Sequence, residues 1–144
     1  MIHKSHFGVY AVIINNDHSK ILLIKKARGP YSGLYDLPGG SMEDGELLDE
    51  TLIREVKEET NCTVTTYKQI GAYSTVFKYT LEDDTEIHFR HIGVLYDVTI
   101  DGTPNINGDR QDSHGCIWMT MNDIDEKTIT PLAKVFLFSR QKKN

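Results

Sequence analysis

Three carboxylates crowd one short stretch of this sequence. "REVKEET" (54–60) sets Glu55, Glu58 and Glu59 beside Arg54 and Lys57. At ~100° per residue on a helix, the three acids fall within roughly a third of the circumference. Leu48 and Leu52 lie on or beside the same arc, so the acids belong at the rim of a core. Carboxylates at i,i+3 and i,i+4 repel by a few tenths of a kcal/mol per exposed pair. A divalent cation would reverse the sign. Mg²⁺ takes oxygen ligands, is often held by one or two carboxylates, and completes its shell with water and substrate phosphates. A charged, solvated helix face remains the competing reading of these seven residues alone.

The elements around the acids follow from local pattern. From Glu46 to Thr60 there is no Gly or Pro, and Leu48, Leu52 and Val56 recur at i, i+4, i+8. That spacing predicts a helix over 46–60. Asp44 or Gly45 can cap its start, and Glu46 suits the positive N-terminal end. Upstream, "FGVYAVIIN" (7–15) and "ILLIKK" (21–26) read as strands, "NNDHSK" as a turn and "ARGPYSG" as a loop. Downstream, "TVTTYKQIGAY" and "STVFKYTLE" read as two strands. "DDT" (83–85) is a turn, and 86–100 is a long strand. Residues 101–115 form a Gly/Asn/Asp-rich loop of the kind that carries function. "CIWMT" is a last short strand. One or two helices follow, with Pro131 at a first turn. Basic "RQKKN" reads as a solvated tail. Strands, helix, strands, helix make an α+β domain with a mixed sheet, without the regular alternation of a doubly wound fold.

Composition narrows the class. The 144 residues fit one domain, 1–144, large enough to bury about two thirds of its unfolded surface. A hydrophobic share of 39% with 26% charged residues is that of a globular chain, not a disordered one. The net charge of −5 argues against broad binding to nucleic acid or anionic membranes. It leaves room for a phosphorylated substrate if a divalent cation stands between acids and phosphates. Two cysteines, Cys62 and Cys116, are too few for a disulfide framework and read as free, buried thiols. The apolar run Phe7–Ile14 is too short to cross a bilayer and is followed by no cleavage site, so the cytosol is the expected home.

The context of the acids decides between the two readings. In "GGSMEDGELLDETLIREVKEETNC", Gly40 is followed by Glu46, then by Arg54-Glu55, Val56 and Glu58-Glu59. This resembles the signature of the Nudix hydrolases, G-x5-E-x7-R-E-U-x-E-E-x-G-U, where U is bulky and apolar. At about 5–7% frequency per residue type, six specified matches arise by chance on the order of once in ten million starts. The box spans 40–62. It departs from the signature at Asn61, which replaces the last Gly where a left-handed residue closes the helix; Asn is the next most tolerant type. Cys62 takes the final apolar place. "YDLPGG" is similar to the family's W-x-L-P-G-G approach, with Tyr35 as the aromatic, and "CIWMT" to an apolar-Trp element. The likeness covers most of 7–137 and implies the Nudix fold, a mixed β-sheet sandwiched between α-helices.

The resemblance also implies chemistry. Nudix enzymes hydrolyse a nucleoside diphosphate linked to another moiety, using Mg²⁺ or Mn²⁺. On the family's pattern, Glu58 and Glu59 are metal ligands, Glu55 is a further ligand or the base that orients water, and the Gly39 carbonyl is a backbone ligand. Arg54 holds a box carboxylate, with Glu46 the expected bidentate partner, and Gly40 and Glu46 shape the box. A further acid often precedes the Trp element; Asp112, six residues before Trp118, is the candidate and Asp109 the second. Lys25, Lys26 and Arg28 are candidate phosphate contacts, with exposed strand-end cations the rival reading. Glu86, His88 and Arg90 share a strand face that reads as solvated, and Trp118 reads as core.

The box sets the reaction class and not the leaving group. ADP-ribose hydrolases of the family often carry a Pro some sixteen residues past the box. No Pro lies between Pro38 and Pro104, which counts against that branch. Tyr79 stands near the place of a Tyr found in dinucleoside-polyphosphate hydrolases. The expected activity is that of a small nucleotide pyrophosphatase acting on (d)NTPs or related nucleotides. Dinucleoside polyphosphates, an RNA 5′ end, and a nucleotide-sensing module without activity are the alternatives. The expected partner is a small nucleotide, with no membrane, nucleic acid disfavoured by charge, and a homodimer left open.

Overall fold

The computed structural model describes residues 1–29, 31–105 and 113–142, with side chains described for all of these except 113, 114 and 139–142. Seven strands and two α-helices follow in the order β1 (Ile2–Ile13), β2 (Lys20–Lys26), β3 (Tyr35–Asp36), β4 (Gly39–Gly40), α1 (Leu48–Thr60), β5 (Thr63–Thr80), β6 (Glu86–Asp101), β7 (Ser113–Thr120) and α2 (Pro131–Lys142). A single 3₁₀ turn, Met121–Asp123, precedes α2.

One sheet has the order β4-β1-β6-β5, the other β3-β2-β7. The first is mixed: β1 runs parallel to β6 and antiparallel to β4. Alternate residues of β1 and β2 serve opposite faces. Val9, Ala11, Ile13, Leu22 and Ile24 pack with Leu52 and Val56 of α1. Tyr10, Val12, Ile21 and Leu23 pack with Leu132, Ala133 and Phe136 of α2. Burial on both faces explains why these strands read as continuous apolar runs. The two helices thus sandwich the sheets, as the Nudix resemblance implied.

Several boundaries differ from the sequence reading, among them the start of β7 at Ser113 rather than Cys116. β1 begins at Ile2, because the polar "HKSH" stretch pairs in unbroken register with 88–91 of β6. β5 is one strand, not two; register shifts at Val64/Thr66 and Gln69/Gly71 bend it without breaking it. α1 starts at Leu48, with Leu47 rather than Asp44 or Gly45 at its cap. There the Leu47 N–H donates to the Glu50 carboxylate at 2.9 Å, one half of a capping box. The basic tail is not loose throughout, since α2 continues to Lys142.

Other expectations hold. Pro131 opens α2. Asn61 ends α1 in the left-handed region, φ 62° and ψ 19°. Cys62 and Cys116 are free and buried. Trp118 packs against the α1-side core. Among the described residues, no helix is long and apolar enough to cross a membrane.

Candidate active site

The site forms where the "LPGG" turn crosses the last two turns of α1. β4 pairs with β1 through Tyr10↔Gly39 and Val9↔Gly40, and Ala11 N–H donates to the Pro38 carbonyl at 2.8 Å. Gly39 has φ 149°, and a Cβ there would lie 2.1 Å from the Val9 carbonyl oxygen. Only glycine meets both demands. Its N–H donates to Glu59 Oε1 at 2.6 Å, which joins the turn directly to the helix. Gly40 leaves room on the other side: a Cβ would sit 2.9 Å from the Glu55 carboxylate.

The three carboxylates occupy graded environments. Glu59 is 3% exposed. Burial first, then the Glu55 charge, pushes its carboxyl well above the usual range, against the pull of the Gly39 N–H. The Glu55 side chain is 15% exposed and is also raised, mainly by burial, with Arg54 pulling the other way. Glu58 is 53% exposed. Buried carboxylates with pKa values raised by burial and by a neighbouring acid form a site where added positive charge is favourable.

Arg54 organises the rim. Its Nε donates to Glu46 Oε2 at 2.6 Å and its Nη2 to Glu46 Oε1 at 2.9 Å, the bidentate pair expected from the sequence. Nη2 also donates to the Ser41 carbonyl at 2.9 Å, while Nη1 reaches Glu55 at 2.9 Å and Glu58 at 3.2 Å. Glu46 lies just before α1 and further accepts the Glu43 N–H and the Thr51 hydroxyl. Arg54 above all, then that N–H, holds its carboxyl down at about 2. The guanidinium is in turn held protonated, first by Glu46.

These groups line a cavity of about 410 Å³ whose walls include Gly39, Gly40, Arg54, Glu55, Glu58 and Glu59 together with His6, Tyr10 and Lys26. Four carboxylates, with Glu43, therefore face two permanent cations. The carboxylate oxygens suit a hard divalent cation; the Met42 thioether in the same wall is a soft donor that such a cation does not take. The arrangement is not yet a closed ligand shell. Among the described residues, no three or more His, Cys, Asp or Glu side chains are already placed to hold a metal ion. The reason is visible: Arg54 engages Glu55 and Glu58, and Glu59 is turned to the Gly39 N–H.

The structure brings together Gly39, Gly40, Arg54, Glu55, Glu58 and Glu59, with Glu46 behind them. It does not bring in three of the proposed substrate contacts. Lys25 is exposed on the opposite face of β2, its Nζ 5.8 Å from the centre of the Tyr35 ring. Arg28 is exposed in the loop beyond, outside the cavity wall. The Tyr79 ring on β5 lies tilted against Phe77 of the same strand and Phe89 of β6, also away from the wall. Asp112 and Asp109 lie outside the described residues. Lys26, not Lys25, is the β2 cation on the α1 side. Strand phase carries that signal, because Lys26 continues the alternation of Leu22 and Ile24. His6 and Tyr10 carried no sequence signal; both come from β1 across the β4 pairing.

The fold and the box define a class. The NUDIX domain model matches residues 4–138, and the chain belongs to the Nudix family. Over 63 residues it is 44% identical to an ADP-ribose pyrophosphatase of Methanocaldococcus jannaschii, covering 44% of this chain and 37% of that protein. Over 62 residues it is 40% identical to a putative 8-oxo-dGTP diphosphatase of Bacillus subtilis, covering 43% of this chain and 40% of that one. The chain thus aligns with about two fifths of the length of these relatives. A MutT protein structure from Methanosarcina mazei superposes with TM-score 0.68 at 22% identity, covering 100% of this chain and 99% of that one. A MutT NUDIX hydrolase from Burkholderia pseudomallei gives 0.68 at 22% identity, with coverage of 93% and 96%. At such identities these two support the fold alone.

Proposed function

We propose that this chain is a divalent-metal-dependent pyrophosphohydrolase that cleaves a nucleoside diphosphate linked to another moiety, with (d)NTPs and related small nucleotides as first substrates. The observation that carries the reading is the convergence of Glu55, Glu58 and Glu59 with Gly39 in one cavity that Lys26 and Arg54 also line. A pyrophosphate needs both features. Its charge must be neutralised before water can approach phosphorus, and its oxygens need donors on the side away from the acids.

Glu58 and Glu59, with the Gly39 carbonyl, would hold Mg²⁺ or Mn²⁺, and Glu55 serves as a further ligand or as the group that orients water. The cation supplies charge neutralisation and a bound water of lowered pKa. The chain's own residues do the rest. Arg54 fixes Glu55 and Glu58 and is itself fixed by Glu46, so the acids keep one orientation. Lys26 and His6, which line the same cavity, would meet the phosphates. Water adds to one phosphorus, its proton passes to a carboxylate, and the bridging oxygen leaves with the other phosphate.

Relatives named as an ADP-ribose pyrophosphatase and as an 8-oxo-dGTP diphosphatase share this anhydride chemistry and differ in the leaving group. The net charge and the position of Tyr79 give no support to RNA 5′ ends or dinucleoside polyphosphates. The free buried thiols suit a reducing cytosol. The test is phosphate or nucleoside monophosphate release from NTPs, dNTPs, 8-oxo-dGTP, ADP-ribose, sugar nucleotides and dinucleoside polyphosphates, with Mg²⁺ or Mn²⁺. Turnover of a (d)NTP is expected. Silence across the panel would sink the enzyme reading in favour of a nucleotide-sensing module.

A further inference from the structure

Behind the Gly39 turn lies a polar chain that the reaction does not explain. His91 of β6 is 1% exposed. Its Nε2 is 2.7 Å from the Tyr10 hydroxyl and its Nδ1 is 3.1 Å from the Tyr31 hydroxyl. Burial foremost, with His6 and Lys26 adding to it, pushes the imidazole down to about 4. At neutral pH the ring is therefore uncharged, with one N–H and one lone pair. Both are used, since one tyrosine must donate and the other accept. A fully paired, buried network of this kind holds its members rigidly.

The Tyr10 ring is seated with equal care. Gly8 and Gly93 face each other across β1 and β6. A Cβ at Gly8 would lie 2.5 Å from the Tyr10 hydroxyl oxygen, and one at Gly93 would lie 3.1 Å from the ring. The ring thus leans over a pair of glycines to reach His91. Its near end backs the metal-ligand turn: a Cβ at Gly39 would meet Tyr10 Cα at 2.7 Å and Cδ1 at 2.8 Å. Tyr31 belongs to the loop after β2, so the chain spans from that loop to Gly39.

We propose that His91 is a positioning residue: through Tyr10 it fixes the Gly39 peptide against Glu59, and through Tyr31 it ties that peptide to the seating of the turn at 31–34. The consequence for turnover rests on the pyrophosphohydrolase reading; the consequence for the Gly39–Glu59 contact does not. The experiment compares His91→Phe, which keeps a ring and removes both bonds, with His91→Gln, whose amide restores a donor and an acceptor. Two readouts need no turnover: the Gly39 amide proton shift, which its 2.6 Å bond to a carboxylate places downfield, and Mn²⁺ affinity measured by electron paramagnetic resonance without nucleotide. In His91→Phe the Gly39 resonance should move upfield and Mn²⁺ should bind roughly tenfold more weakly, the scale of losing a ligand's support. On an active substrate, kcat should fall with KM little changed. His91→Gln should recover most of each loss. If His91→Phe does not fold, Tyr10→Phe removes one hydroxyl, keeps the ring on its glycines, and should give the same upfield shift. An unmoved Gly39 resonance with wild-type Mn²⁺ affinity overturns the proposal, as does His91→Gln being as impaired as His91→Phe. A panel without turnover but with these shifts present would instead sink the enzyme reading alone.

Discussion

At the residue scale, the acids of "REVKEET" have unequal duties. Glu59 is the buried one, bonded to a main-chain N–H; Glu58 is the exposed one; Glu55 is clamped between Arg54 and Gly40. Glu59→Gln keeps an oxygen for the Gly39 N–H and removes the charge. It should retain the fold and cut turnover by more than the ~10–100-fold that loss of a ligand's supporting partner costs. Glu58→Gln should do the same, since its side chain fills no core volume. Folded variants with wild-type Mg²⁺-dependent rates would refute the assignment. Arg54→Lys tests the fork. Lysine keeps a charge but cannot span Glu46, Ser41, Glu55 and Glu58 together, so kcat should drop by about 10–100-fold in a steady-state assay. A rate within twofold of wild type would show that charge alone suffices.

At the element scale, α1 was legible because its apolar stripe and its acids share an arc. Leu52 and Val56 are fully buried beside Val9 and Ala11, and that contact sets the azimuth of the glutamates. Leu52→Ala should cost ~2–5 kcal/mol, read as a lower denaturant midpoint at unchanged slope, and should weaken metal binding as α1 shifts. Loss of stability with unchanged Mn²⁺ affinity would mean that the turn, not the helix, places the acids. Asn61 was legible for a different reason: a helix end followed by a strand needs a left-handed residue, and the structure supplies one there. Other elements were not legible. The outer half of β1 is polar, and only its ladder with β6 makes it a strand. His6 and Tyr10 enter the site through a β1–β4 pairing far apart in sequence, which local periodicity does not encode, whereas the alternation of β2 does mark Lys26.

At the scale of the whole molecule, charge and stability are coupled through buried acids. Asp36 is buried, accepts bonds from Leu37 N–H and the Thr130 hydroxyl, and has its carboxyl pushed up to about 6 by burial. A folded pKa above the unfolded value means that its contribution is fully present below the unfolded pKa. That contribution is lost as pH rises through about 6. Glu46 has the opposite sign: held down at about 2, it stabilises above its unfolded pKa and loses that stability as pH falls toward 2. The metal-free protein should therefore melt highest in mildly acidic buffer. Asp36→Asn should flatten the decline between about pH 4 and 6, as followed by circular dichroism melting. An unchanged slope in that variant would locate the effect elsewhere. Saturating Mg²⁺ should raise Tm near neutrality: at 100 times Kd the gain is ~2.7 kcal/mol, or roughly 5–10 °C for a chain of this size. No shift with Mg²⁺ or Mn²⁺ would count against a metal site.

The bond from Gly39 to Glu59 has a consequence for anyone who would rebuild this protein. Helix and turn close a circuit, because Arg54 also grips the Ser41 carbonyl and Gly40 makes room for Glu55. The transplantable module is therefore not the glutamate helix but the segment from Asp36 to Thr60. It also needs a host strand that offers small residues beneath an aromatic, as Gly8 does beneath Tyr10. A chimaera cut at the start of α1 would carry Glu55, Glu58 and Glu59, lose Glu46 from behind Arg54, and leave its most buried carboxylate without the main-chain N–H that holds it.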